Sequence, residues 1–139
     1  MDLNQKRKFN MTGHFESNMN QINTVLWADA EFDDLKIDYD SVKIRIEESN
    51  GLTKLITCHG YIGFESIGLW DEIVISSATM HKKHELIDRS KSAISMRLGN
   101  IDSGSNARNI REWGMLQITF IDGAELNIVM TQISVSAVS

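Results

Sequence analysis

"SVKIRIEESNGLTKLITCH", Ser41 to His59, decides the fold. Val42, Ile44 and Ile46 alternate with Lys43, Arg45 and Glu47. That two-residue period belongs to a strand with one buried and one wet face. Asn50-Gly51 follows, a pair that tolerates positive φ at both positions and so closes a tight hairpin into Thr53 to His59. The pattern recurs near the C-terminus. "MLQITFI" sets Leu116, Ile118 and Phe120 on one face, Asp122-Gly123 turns the chain, and "AELNIVM" returns with Leu126, Ile128 and Met130 inward. A last run, Gln132 to Val138, buries Ile133, Val135 and Ala137 by the same alternation.

Outward from these hairpins the reading is less regular. "TVLWADA" (24–30), "DLKID" (34–38), "WDEIVISS" (70–77) and "SAISMRL" (92–98) are expected strands. Apolar positions shift from odd (Leu35, Ile37, Tyr39) to even (Val42, Ile44, Ile46), which requires a turn or bulge at Asp40-Ser41. "MHKKHELIDRSK" leaves open a short helix, a strand continuation or a loop. "NIDSGSNARN" is a loop by composition. Residues 1–23, polar and without sustained periodicity, are expected to be a partly ordered lead-in with one strand or turn around Phe9 to Phe15. Short strands, tight turns and no alternation with long helices predict one all-β domain over residues 1–139. Its expected architecture is an antiparallel sandwich or partly closed barrel of about eight or nine strands.

The 139 residues suffice for one self-supporting core. A single cysteine, Cys58, excludes an internal disulfide. No window has the apolar run of a signal peptide or membrane helix, so a cytoplasmic protein is expected. The chain contains no proline, which removes one common guard of edge strands. The final run therefore offers an edge through which copies of the chain could pair.

Charge is unevenly placed. "DAEFDDLKIDYD" carries six carboxylates, Asp29, Glu31, Asp33, Asp34, Asp38 and Asp40, against Lys36, a local net charge of −5 that equals that of the whole chain. From His81 to Arg111 seven bases face three acids, a net +4. The bland reading of the acidic run is a solvated edge kept from aggregating. The functional reading is a surface for a basic partner, because opposite charge speeds encounter and sets register.

"GYIGFESIG" matches neither the dinucleotide fingerprint nor a lysine-bearing phosphate loop. Its glycines, set among Tyr61, Ile62, Phe64 and Ile67, instead suit bulges or a sharp corner over the core. With "YDSVKIRI" before it and "FIDGAELNIV" after it, "CHGYIGFESIGLWDE" resembles small acidic β proteins of bacteria, some of which act as immunity proteins against contact-dependent or secreted toxins. The resemblance spans about residues 35 to 130. It implies a role exercised by a surface, with a basic toxin as partner, and supplies no catalytic residues.

Other chemistry finds little footing. His81 and His84 stand three apart, but Cys58 and His59 point to opposite faces of a strand, so a four-ligand zinc site is not assembled. The acidic run lacks the glycine and terminal glutamate of a helical calcium loop. No serine sits in a nucleophile elbow, and the adjacent Cys58 and His59 do not make a nucleophile and base. The basic stretch has no interleaved aromatic residue for stacking nucleic acid. No cofactor and no metal are expected. The leading expectation is a non-enzymatic protein-binding domain using Asp29, Glu31, Asp33, Asp34, Asp38 and Asp40. The alternative is a small-molecule or lipid-binding β barrel with Tyr61, Trp70 and Trp113 around its cavity.

Overall fold

The computed structural model describes residues 14–68, 73–97 and 112–138. They form helix α1 over residues 14–23, strands β1 (Glu31–Ile37), β2 (Ser41–Glu47), β3 (Thr53–His59), β4 (Gly63–Ile67) and β5 (Ile75–His81), helix α2 (Glu85–Arg97), and strands β6 (Gly114–Phe120), β7 (Glu125–Met130) and β8 (Gln132–Val138). Two four-stranded antiparallel sheets result, ordered β1-β2-β3-β8 and β4-β7-β6-β5. The expected all-β sandwich is therefore the fold.

Both glycine-closed hairpins are present. Gly51 and Gly123 take φ of 89° and 92°, and β2 pairs with β3, and β6 with β7, in unbroken register. The inward sets of these strands, with Ile75 and Ile133, make the interior between the sheets. Phe32 meets Phe120 edge to face at 5.6 Å, fixing the base of β1 to the opposite sheet. At that corner the sheets touch through a bridge between Glu31 and Val74. The "GYIGFESIG" glycines are structural: the chain crosses from one sheet to the other between His59 and Gly63, and Gly60 (φ 62°) and Gly68 (φ 96°) take backbone that side chains resist.

Three expectations are corrected. "TVLWADA" is not a strand; it is a turn-rich connection in which Val25, Trp27 and Ala30 plug the core and Trp27 Nε1 donates to Ile22 O at 2.9 Å. "SAISMRL" is not a strand either, because residues 92–97 continue α2. The open segment before it divides: β5 runs on to His81, and His84 Nδ1 then accepts the Leu86 amide at 3.0 Å, capping the helix. Glu85 and Asp88 in the first turn suit the helix dipole. Leu86 and Ile87 press onto Met115 and Val129, which face outward from the second sheet. Lastly, the lead-in, where a strand or turn was expected around Phe9 to Phe15, is helical from residue 14 onward as α1. Residues 1–13 lie outside the described residues, as do residues 70–72 of the expected strand at 70–77 and the loop at 100–109.

Helix α1 guards an edge. Asn18 Oδ1 accepts the Ile133 amide at 2.8 Å, Asn18 Nδ2 donates to Thr131 O at 3.0 Å, and Gln21 Oε1 accepts the Val135 amide at 2.9 Å. These side chains stand where a neighbouring strand's backbone would be, so this part of the β8 edge, suggested above for self-pairing, is already engaged. Asn18→Ala is expected to cost about 2 kcal/mol, since it orphans a buried amide and a carbonyl together. Urea unfolding that shows a loss below about 0.5 kcal/mol would contradict this role, that being the range of ordinary surface substitutions.

Candidate functional site

The acidic run forms the outer strand of the first sheet and the turn that follows it. Asp29 occupies the left-handed region (φ 67°), and its amide donates to Ile75 O at 2.9 Å. Glu31 is exposed opposite Glu47. The register slips between Phe32 and Asp34, so one extra residue sits in β1 opposite Arg45. This bulge lets Phe32 and Leu35 both pack on the core while Asp33 and Asp34 both reach solvent. Beyond Ile37 the chain turns, as the phase change required: the Asp38 amide donates to Ser41 O at 2.8 Å. The six acids thus follow one edge hairpin whose strand β1 is about 20 Å long by the rise of an extended chain.

The turn is held from behind. Tyr61 Oη donates to Asp38 O at 3.1 Å, and the Gly60 amide donates to Asp40 O at 2.8 Å. Asp38 approaches Lys43 Nζ at 4.0 Å, both about two-fifths exposed, a pairing worth little. At the tip Tyr39 is fully exposed between Asp38 and Asp40, and Ile37 is half exposed. The alternation placed Tyr39 inward with Leu35 and Ile37; the turn overrides it. The signal missed was local, since aspartates on both sides of a residue favour a turn over a continuing strand.

The outer face of the same sheet is mixed in charge rather than acidic. Asp34 stands across from Arg45 and Lys36 across from Lys43. The basic stretch does not neutralise the hairpin among the described residues: Lys82 pairs with Glu112, and Arg89 with Glu65 and Glu85.

The remaining candidates do not converge. Cys58 is in the core, where burial pushes its thiol up to about 12 and keeps it protonated. His59 is exposed on the other face beside Ser134 Oγ at 3.0 Å. His81 and His84 have ring centroids 5.7 Å apart, but each already has another partner, Gln117 Oε1 for His81 and the Leu86 amide for His84. No group of three or more His, Cys, Asp or Glu suited to a metal ion occurs among the described residues. Tyr61 packs against the inter-sheet core whereas Trp113 joins the cluster under α2, so the residues assigned to a cavity are divided; Trp70 lies outside the described residues. Among the described residues no helix is long and apolar enough to cross a membrane.

What the site offers is therefore a fixed, acid-flanked hairpin with an aromatic tip. No family model matches the chain, and neither a curated protein nor a solved structure matches it.

Proposed function

We propose that the chain is a non-catalytic, cytoplasmic protein-binding domain whose β1–β2 hairpin engages a basic partner, and that it acts as a bacterial immunity protein neutralising a toxin. The observation that supports this reading is Tyr39, fully exposed on a turn whose backbone is tied down by Tyr61 and Gly60. A tyrosine on a rigid mount presents a large amphipathic surface with little entropy left to lose on binding, the property of an interface anchor. Asp33, Asp34, Asp38 and Asp40 around it would steer a positively charged surface and fix its orientation. Neutralisation follows from the resemblance noted above and needs only occlusion of the toxin.

The test is affinity capture from native lysate with mass-spectrometric identification. Wild type is compared with Asp33→Lys/Asp34→Lys/Asp38→Lys and with Tyr39→Ala. A stoichiometric basic protein is expected on the wild type, lost at least tenfold on each variant, an energy of about 1.4 kcal/mol or more. Undiminished capture by folded variants would overturn the assignment of this hairpin.

A further inference from the structure

We propose that β1 receives an extended, basic segment of the partner as an added strand along the edge exposed from Leu35 to Ile37, an inference that rests on the reading of the hairpin as the binding surface. Two hydrogen bonds set the direction of every backbone group in this strand. The Asp38 amide turns toward β2, donating to Ser41 O, whereas the Phe32 amide turns away, donating to Ile73 O at 2.9 Å. Backbone direction alternates along an antiparallel pair. Counted back from Asp38, Lys36 and Asp34 address β2, whereas Ile37 and Leu35, across from Val42 and Ile44, address the open side. Counted forward from Phe32, the extra residue of the bulge brings the alternation to the same result. Two N–H and two C=O groups thus face outward on a strand that is outermost among the described strands of its sheet. The other end of this edge is taken: Ala30, Asp29 and Phe32 bond to Ile75 and Ile73.

The side chains at this edge define the occupant. Leu35 is only partly buried against the core and Ile37 is 50% exposed, leaving apolar surface that alternate residues of an added strand would cover. From Asp33 to Asp40 four acids oppose one lysine, a net −3. A second copy of this edge would bring like charges together, whereas a segment alternating basic and apolar residues meets Asp34 and Asp38 on either side of Lys36 on one face and the Leu35–Ile37 notch on the other. The bulge and charges that deter self-pairing therefore select a basic strand. Strand addition draws its affinity from main-chain bonds and its selectivity from alternate side chains.

The experiment uses the full chain and a synthetic seven-residue peptide of alternating lysine and valine. A second peptide has the same sequence but methylated amide nitrogens on alternate residues. Amide hydrogen exchange is followed residue by residue by NMR. In the free protein the Leu35 and Ile37 amides are expected to exchange fast and that of Lys36 slowly. The unmodified peptide is expected to slow exchange at Leu35 and Ile37 at least tenfold, and methylation to weaken binding at least tenfold, since it removes main-chain donors. Equal binding of both peptides, protection confined to other strands, or no binding would overturn strand addition. The charge-reversed variant separates the two claims. If both peptides bind wild type equally but not the variant, the acidic surface stands and the added strand falls. If Leu35 and Ile37 are protected equally in both proteins, the added strand stands and the electrostatic reading falls.

Discussion

Lys54→Met is expected to destabilise the protein by about 3 to 5 kcal/mol, the range for stranding one member of a buried ion pair. Glu48 follows β2, with its side chain only 1% exposed, and the Lys54 side chain, 16% exposed, places Nζ 3.1 Å from its Oε2. The same oxygen accepts the Leu26 amide at 2.8 Å, and Lys54 also reaches Thr24 O at 3.5 Å. The pair thus staples the connection between α1 and β1 to the first sheet. Glu48 Oε1 is buried without a hydrogen-bond partner, so once the lysine is gone the carboxylate keeps the Leu26 amide but loses the positive charge that offsets its burial.

The pH dependence follows in sign. Burial pushes the Glu48 carboxyl up, but the Leu26 amide, Lys54 and Asn50 together outweigh it and hold the pKa below its ordinary 4.5. A depressed folded pKa contributes stability that is present above 4.5 and is lost as pH falls through the folded value. Urea unfolding of wild type and variant at descending pH should therefore show their gap narrowing below pH 4.5. A gap that stays constant would mean the loss comes from the lysine's aliphatic packing and not from the ion pair.

Gly63→Ala is expected to cost about 2 to 3 kcal/mol, against the local preference, because alanine is ordinarily the better residue in a strand interior. The reason lies above the sheet. A Cβ at Gly63 would collide with Ser90 Oγ and come within 3.1 Å of Ser90 Cβ and 3.3 Å of Val129 Cγ2. Ser90 is itself buried, on the face of α2 that covers the second sheet. Rotating the hydroxyl relieves one contact and leaves the other two. The double variant with Ser90→Gly should recover at least about 1 kcal/mol relative to additivity, as neighbours sharing one space do. Additive losses in thermal or urea unfolding would show that Gly63 is needed for its backbone and not for the approach of α2.

The hairpins were legible because their information is local. Asn50-Gly51 and Asp122-Gly123 permit the turn, and the alternation on either side says which face is buried; neither depends on distant residues. The acidic run was legible as charge for the same reason. The errors share a different cause. In "SAISMRL" an alternating pattern masked the end of a stripe spaced four residues apart, Leu86, Ser90 and Ile94, that becomes meaningful only when there is a surface to cover. A clue to that surface was present in the continuous apolar runs Met115-Leu116 and Ile128-Val129-Met130, since a strand buried on both faces loses its alternation. "TVLWADA" likewise supplies apolar bulk without strand pairing, its Trp27 indole capping the end of α1 instead of joining a ladder.

By itself the sequence determined the four strands of the two glycine-closed hairpins, their inward faces and the concentration of negative charge before β2, because these follow from nearest neighbours and a two-residue period. Only the tertiary structure decided that a helix lies on the second sheet, that Asn18 and Gln21 occupy the β8 edge, and that β1 is outermost with Leu35 and Ile37 directed outward. Strand order and edge exposure are properties of which elements meet in space. A single strand's pattern carries which face is buried and cannot carry which neighbour, or none, lies beside it.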